Sequence, residues 1–447
     1  MAVRPCLTRV TPAPSVTLHD TLWHERRLTV PSAYWHPFAD MAAVPGHELV
    51  IARGEGVYLW DDRGTRYLDG TASLWHAHIG HAREEMVEAI AQQLRTLEAF
   101  QTFGDVANPP ALELVERLVQ RSPMADARVF LCLGGGDAID TAAKLARQYW
   151  AAQGSPDRTH LISRTFAYHG THGFGTSLVG MESMRQGYGP LLGSVSHVDH
   201  QSPEALESEI ERVGPANVAA FFCEPVIGAG GVRPAPEGYI EAVAAICKRH
   251  GVLLVIDSVI CAFGRVGTWF GYERWDIEPD MVVLAKGITS GYLPLGAVVI
   301  GGAVAEPFWD HPGGPMFRHG ATYAGHPTCC AAALANMDIL EREGLVTRGR
   351  ELEDELMDVL APLADHPACG EIRGGLGLAA AVDLTPEALE SVPGAIGRYA
   401  SAIREAGVLL RAQATGVAIG PPLTVERAHL EEIAVAVRAG LDAVAAA

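Results

Sequence analysis

The chain reads as an α/β protein, with a large domain built on a mostly parallel central sheet and a smaller α+β domain drawn from both ends of the chain. Three observations predict this. Strand and helix patterns alternate from about residue 81 to 335. Several of the strands, VAAFFC, GVLLVI and MVVLA among them, are unbroken apolar runs, as strands covered on both faces must be. The length of 447 residues also exceeds what one compact core organises.

The elements follow in order. Residues 1–80 are loop-rich and form a meander: after PSAYWHPFADM, the segment ELVIARGEGVYLWDDRGTRYLDG alternates on either side of the turn DDRG. Residues 81–335 form the large domain. NPPALELVERLVQR has helical spacing with proline near its start. VFLCL is a strand, GGG a turn, and DAIDTAAKLARQYW a helix with Ala142, Leu145, Ala146 and Tyr149 on one face. THLIS, EALESEIERV, VAAFFCEP, IEAVAAICKRH, GVLLVID, MVVLAK and LGAVVIG continue the alternation. Residues 336–447 turn helical in ILEREGLVTRGRELEDELMDVLAPL, pass through short strands near GLGLAAAVDL and GVLLRA, and close on the helix HLEEIAVAVRAGLDAV. This α+β part takes the N-terminal meander as its neighbour.

Composition excludes several classes of function. With 48% hydrophobic and 19% charged residues, usage is that of an ordinary globular protein. A formal net charge of −19 provides no basic face for nucleic acid or for an anionic membrane. No apolar run reaches membrane-spanning length, and MAVRPCLTRVTPAP lacks the apolar centre of a signal peptide. The eight cysteines are scattered without a Cys-x-x-Cys. The adjacent Cys329 and Cys330 suit neither an ordinary disulfide nor a zinc site, so reduced thiols in a cytoplasmic protein are expected.

Two strand ends carry chemistry. GVLLVID ends on Asp257 and MVVLAK on Lys286, and open sheets of this kind bind ligands beyond the carboxyl ends of their strands. A salt bridge between the two would recover little beyond its desolvation cost. Gly134, Gly135 and Gly136 lie between a strand and a helix, where bare backbone N–H groups close around an anion. A phosphate cradle, a buried acid and a lysine are together what pyridoxal 5'-phosphate requires. The lysine forms a Schiff base with the aldehyde, the acid pairs with the pyridine nitrogen, and the glycine turn holds the phosphate. Tyr168, in FAYHGTHG, is placed to stack on one ring face. Val259, two residues past Asp257 and on the same side of an extended chain, is placed to cover the other.

The chain then resembles, over nearly its whole length, the class III (subgroup II) aminotransferases of pyridoxal-phosphate fold type I. The motifs are YWHPFADM, LWDDRGTRYLDG with SLWHAHIGHAR, GGGDAIDTAAKLAR, FAYHGTHG, CEPVIGAGG, LVIDSVICAFGRVG, LAKGITSGYLPLGAV, HGATYAGHP and RAQATGVAIGPPL. The resemblance implies that Lys286 carries the Schiff base, that Asp257 binds the ring nitrogen, and that Gly135 and Gly136 bind phosphate. Thr322 is implied to reach the phosphate of the neighbouring subunit, hence a homodimer with shared active sites. His169 is expected beside the cofactor, supporting the Tyr168 loop. The implied reaction is a ping-pong exchange of an amino group between an amine and a keto acid, ketone or aldehyde, with Lys286 moving the proton.

The chain departs from the family pattern at three places. Gly135-Gly136-Asp137 stands for the usual Gly-Ser-Glu, which removes one phosphate-binding hydroxyl. Ser258 replaces an acid, and Ala262 a glycine. For substrate, Ala229 and Ile260 resemble the ω-amine:pyruvate group. Arg411 matches that group's mobile arginine, with a plain surface arginine as the alternative; Trp75 matches an aromatic pocket wall, with a core tryptophan as the alternative; and Glu224 matches the site glutamate. His76, His78 and His81 invite a metal reading, but with no nearby cysteine or acid set they read as part of the family hairpin. The same fold also hosts aminomutases, racemases and decarboxylases, and non-catalytic binding or scaffold descendants. The Lys286–Asp257–Tyr168 set speaks against the last, since binding alone needs no Schiff-base lysine. The natural amine and ketone are not legible, and a ketone carried on a larger molecule fits as well as a free one.

Overall fold

The computed structural model describes residues 33–447, so the terminus MAVRPCLTRVTPAP lies outside the described residues. Strands β1 (Ile51–Glu55), β2 (Tyr58–Asp61) and β3 (Arg66–Asp69) pair antiparallel in sequence order. The DDRG turn forms because Asp61 Oδ1 accepts the N–H groups of Arg63 at 3.0 Å and Thr65 at 2.8 Å, a side-chain mimic of a backbone turn.

Helix α1 (Pro109–Arg121) starts where the sequence places it, since Asn108 accepts the Ala111 N–H at 3.0 Å and proline occupies the first turn. The central sheet follows, with β4 (Arg128–Cys132), β5 (His160–Arg164), β6 (Val195–Val198), β7 (Val218–Cys223), β8 (Leu253–Asp257), β9 (Met281–Leu284) and β10 (Gly296–Ile300). Its spatial order is β4-β10-β9-β8-β7-β5-β6. The sheet is parallel except for β10, which runs antiparallel to both of its neighbours. The connection from β9 spans only residues 285–295, too short for the crossover that a parallel return requires. β6 was not legible in the sequence: VSHV is four residues of mixed polarity at the sheet edge.

Alternate residues of the central strands enter opposite cores. Phe221, Leu254, Ile256 and Val282 pack on one face, and Ala220, Phe222, Val255 and Val283 on the other. Both sets are removed from water, which is why the runs are apolar without interruption.

The C-terminal strands are β11 (Cys369–Arg373), β12 (Ala380–Leu384), β13 (Val408–Leu409), β14 (Arg411–Ala412) and β15 (Gly416–Ile419). Four of them form a sheet in the order β11-β12-β15-β14, while β13 pairs parallel with β3. The meander therefore shares a sheet with the C-terminal part. One continuous helix, Pro327–Arg342, runs across residue 336, because nothing in PTCCAAALANMDILER interrupts it; the chain carries no break at the position where the sequence suggests a boundary.

Candidate active site

A cavity of about 520 Å³ lies at the carboxyl ends of β4, β5, β7, β8 and β9. Asp257 and Lys286 both line it. Asp257 is the last residue of β8 and sits in register with Val283 of β9, three residues before Lys286.

Asp257 is 4% exposed and both of its oxygens are occupied from the protein side. Oδ1 accepts the Val259 N–H at 3.0 Å, and Oδ2 lies 2.8 Å from His169 Nδ1. Since a carboxylate only accepts, the imidazole proton is on Nδ1. His169 is itself buried, edge-on to Phe222 with ring centroids 6.0 Å apart. The sequence suggested loop support for His169; the structure shows it holding Asp257.

Lys286 opens a short 3-10 turn, Lys286–Ile288, with a left-handed φ of 49°. A non-glycine residue there carries local strain, and the surroundings hold it. Asn336 Nδ2 donates to the carbonyls of Gly287 at 2.8 Å and Ile288 at 3.1 Å, while the Ser290 hydroxyl donates to Asn336 Oδ1 at 2.6 Å. Sequence reasoning missed Asn336 and Ser290; their only signal was polar character on an otherwise apolar helix face and in a tight turn. Burial draws the Lys286 amine below its ordinary range, opposed by the negative charges of Asp257 and Glu224.

The helix that follows β4, α2 (Gly135–Ala152), starts at Gly135 rather than after the three glycines. The N–H groups of its first turn have no helical acceptor, and Gly134, Gly135 and Gly136 line the cavity. Asp137, the residue that departs from the family pattern, turns its carboxylate back to accept the Leu133 N–H at 2.9 Å. A Cβ on Gly135 would lie 3.1 Å from both Val259 methyls, which brings Val259 tight against the helix start. Gly170, at φ +88°, crosses so close to Gly136 that a Cβ there would meet its Cα at 2.8 Å.

Tyr168 and Glu224 also line the cavity. Glu224 accepts the Tyr168 N–H and the Gly228 N–H, each at 3.0 Å, and burial raises its carboxyl above the usual range. Burial likewise raises the Tyr168 phenol, against the pull of the positive charge of Arg411. Arg411 is exposed on β14; its backbone N–H donates to Thr71 Oγ1 at 3.1 Å, and among the described residues its guanidinium has no hydrogen-bond or ion-pair partner.

Trp75 takes the core alternative and not the pocket wall. It is 3% exposed, is absent from the cavity lining, and packs beneath Gly420 with Val226 and Ile260. Left-handed φ values at Ala72, Ser73 and Trp75 turn the indole into the core. Thr322 is exposed and also outside the lining. The three histidines of the hairpin diverge: His76 lines the cavity, His78 Nδ1 meets the Phe263 carbonyl at 2.9 Å, and His81 Nε2 meets Asp69 at 2.8 Å.

Residues 41–439 match the family model for class-III aminotransferases. The chain belongs to that family. This aminotransferase is 37% identical to a putrescine–pyruvate aminotransferase of Pseudomonas aeruginosa, over 89% of the chain and 91% of the relative. Its fold is similar to an (S)-enantioselective ω-transaminase from Thermomicrobium roseum, with TM-score 0.88, 36% identity, and 95% and 98% of the two chains covered. It is also similar to a pyridoxal-phosphate-bound amine transaminase from an uncultivated Pseudomonas species, with TM-score 0.87, 38% identity, and 92% and 99% covered. The aminotransferase thus has the fold type I architecture and moves an amino group between an amine and a keto acid. Among its described residues no helix is long and apolar enough to cross a membrane.

Proposed function

We propose that this aminotransferase binds pyridoxal 5'-phosphate in the cavity and works as an ω-amine:pyruvate type enzyme. One observation carries the reading: Asp257, Lys286 and the α2 start at Gly135–Gly136 line a single cavity. The residues present fit the cofactor. An anion would take the free N–H groups at the start of α2; the ring would lie between Tyr168 and Val259; Asp257 would serve the ring nitrogen; and Lys286 would hold the aldehyde carbon. When bound, the cofactor supplies that carbon and a ring that accepts electrons. Lys286 moves a proton at its Nζ, for which a neutral amine is needed, and burial favours that form. His169 and the Val259 N–H keep the Asp257 carboxylate from turning away.

Ala229, Ile260 and the guanidinium of Arg411, which has no partner among the described residues, support the substrate class: an ω-amine in one half-reaction and a small keto acid in the other. The putrescine–pyruvate relative supports an ω-amine paired with pyruvate. A homodimer belongs to the proposal. Phe103, Thr322 and Tyr323 are exposed together, and Thr102 Oγ1 ties the two segments by donating to the Ala324 carbonyl at 2.9 Å. Scattered cysteine usage supports a cytoplasmic setting. Family membership favours transamination over the aminomutase, racemase and decarboxylase alternatives.

The test is amino-group exchange. A panel of amines is incubated with pyruvate and the purified, cofactor-loaded protein, and alanine is measured. Alanine formation with ω-amines is expected; loss of the amine without alanine, as carbon dioxide or an isomerised amine forms, overturns the reading.

A further inference from the structure

His76 belongs to the hairpin WHAHIGHAR, and the assignments above leave it without a role. It is half-buried and lines the same cavity as Lys286. The edge of its ring that carries Cδ2 and Nε2 abuts Gly291, which also lines the cavity: a Cβ on that glycine would come within 2.1 Å of His76 Cδ2 and 2.8 Å of Nε2. Residue 291, in the loop after Lys286, therefore leaves room for an imidazole on the cavity wall.

The backbone under His76 is held firmly. Asp69 accepts the Ser73 N–H at 2.8 and 2.6 Å and pairs with His81 at 2.8 Å, and the His76 N–H donates to the Ala72 carbonyl at 2.9 Å. Left-handed φ values at Ala72, Ser73 and Trp75 are fixed by these bonds. A side chain presented by a clamped backbone is positioned rather than adaptable.

The groups that act on the ring are Asp69, Lys286, His81 and the Leu74 carbonyl. Burial lowers the imidazole below its ordinary range, Asp69 opposes this, and Lys286 adds to it. The neutral ring carries one N–H and one bare nitrogen that only accepts. The cavity wall it shares carries Ile139, Val259, Ile260, Leu293 and Leu295 beside the charged Glu224, Asp257 and Lys286.

We infer that His76 is a specificity-determining residue: its bare ring nitrogen selects amines whose far end carries a second hydrogen-bond donor over amines that end in a methyl group. A wholly apolar substrate strands that nitrogen away from water, whereas a substrate with a terminal amino or hydroxyl group satisfies it. The inference rests on the amine-binding role proposed for the cavity and adds a substrate class to it.

The experiment compares kcat/KM for 1,5-diaminopentane with that for n-hexylamine, its isostere ending in a methyl group, with pyruvate fixed. His76→Leu should lower the ratio by roughly 10- to 100-fold, the factor attached to one stranded polar group. His76→Asn, which keeps an acceptor, should hold the ratio within about 3-fold of the wild type. Equal losses for both amines in His76→Leu would overturn the inference. Should that variant fail to fold, pH decides. The wild-type ratio should fall as acid protonates the imidazole and places a charge opposite the terminal ammonium, while the His76→Asn ratio stays flat; a flat wild-type ratio overturns the inference equally. Absence of exchange with every amine in the wild type would instead count against the function proposed for the cavity.

Discussion

His169 Nδ1 lies 2.8 Å from Asp257 Oδ2, and the Val259 N–H holds the other carboxylate oxygen at 3.0 Å, so the acid at the end of β8 is fixed from two sides. An ionised carboxylate held in this way is a preorganised charge, and its contribution requires no rearrangement during reaction.

The first prediction concerns that charge. Asp257→Asn keeps the shape and removes the charge, and turnover should fall at least ~100-fold. His169→Ala frees the carboxylate without removing it, so a smaller loss, on the order of 10-fold, is expected. The double variant should lose far less than the product of the two, because both act through one group. Steady-state kinetics of the three proteins checks this; near-normal turnover in Asp257→Asn would remove its assigned role.

Lys286 should be the lysine that holds the cofactor. Borohydride reduction of the loaded protein should fix a pyridoxyl group to the peptide containing Lys286, and Lys286→Ala should abolish exchange. Because burial lowers its amine below 10.5, the neutral form persists at lower pH than for a free lysine. The rate of cofactor capture by the apoprotein should therefore rise with pH to a midpoint below 10.5. A midpoint at or above the free-lysine value would contradict the burial argument.

Among the described residues Arg411 has no acid partner to restrain it. A bidentate pair between its guanidinium and a substrate carboxylate would be worth roughly 1.5–3 kcal/mol. Arg411→Ala should weaken the half-reaction with pyruvate or alanine by about 10- to 100-fold. The half-reaction with a neutral amine such as a phenylethylamine should change far less. Single-turnover spectra taken with each substrate separately distinguish these; equal losses would make Arg411 structural.

Thr322 is exposed and outside its own chain's cavity, which fits a role across a dimer interface. Mixing Lys286→Ala with Thr322→Ala protein should place both lesions in one site of each heterodimer and leave the other site intact. Activity should return on subunit exchange. Heterodimers as inactive as their parents would show that Thr322 does not act across the interface.

Stability should carry a pH signature from Asp280, whose Oδ2 accepts the Leu254 N–H at 2.7 Å. Burial pushes its carboxyl up from 3.8 to about 6. The folded state therefore holds a proton that the unfolded state releases, so this contribution is complete below the unfolded value and is lost as pH rises through about 6. The loss has an upper limit of about 3 kcal/mol, reduced by whatever water reaches this partly buried group. Asp280→Asn should flatten the profile over that window. Urea midpoints from pH 4 to 7 would show it, and an unchanged slope would acquit Asp280.

The sequence by itself determined the α/β class, Asp257 at a strand end, and the family; Lys286, expected to end its strand, lies two residues beyond it in a 3-10 turn. These depend on local patterns: apolar runs, helical spacing and ordered motifs that survive without a fold. Tertiary structure decided the rest. That β10 runs antiparallel follows from where an eleven-residue return, 285–295, can land. His169 became the partner of Asp257, and Asn336 the clamp on the Lys286 turn, through contacts between residues 88 and 49 positions apart. Trp75 left the cavity wall for the core because left-handed backbone turns redirected it. A side chain's direction depends on the backbone beneath it and on distant neighbours, and neither is written in the residues beside it.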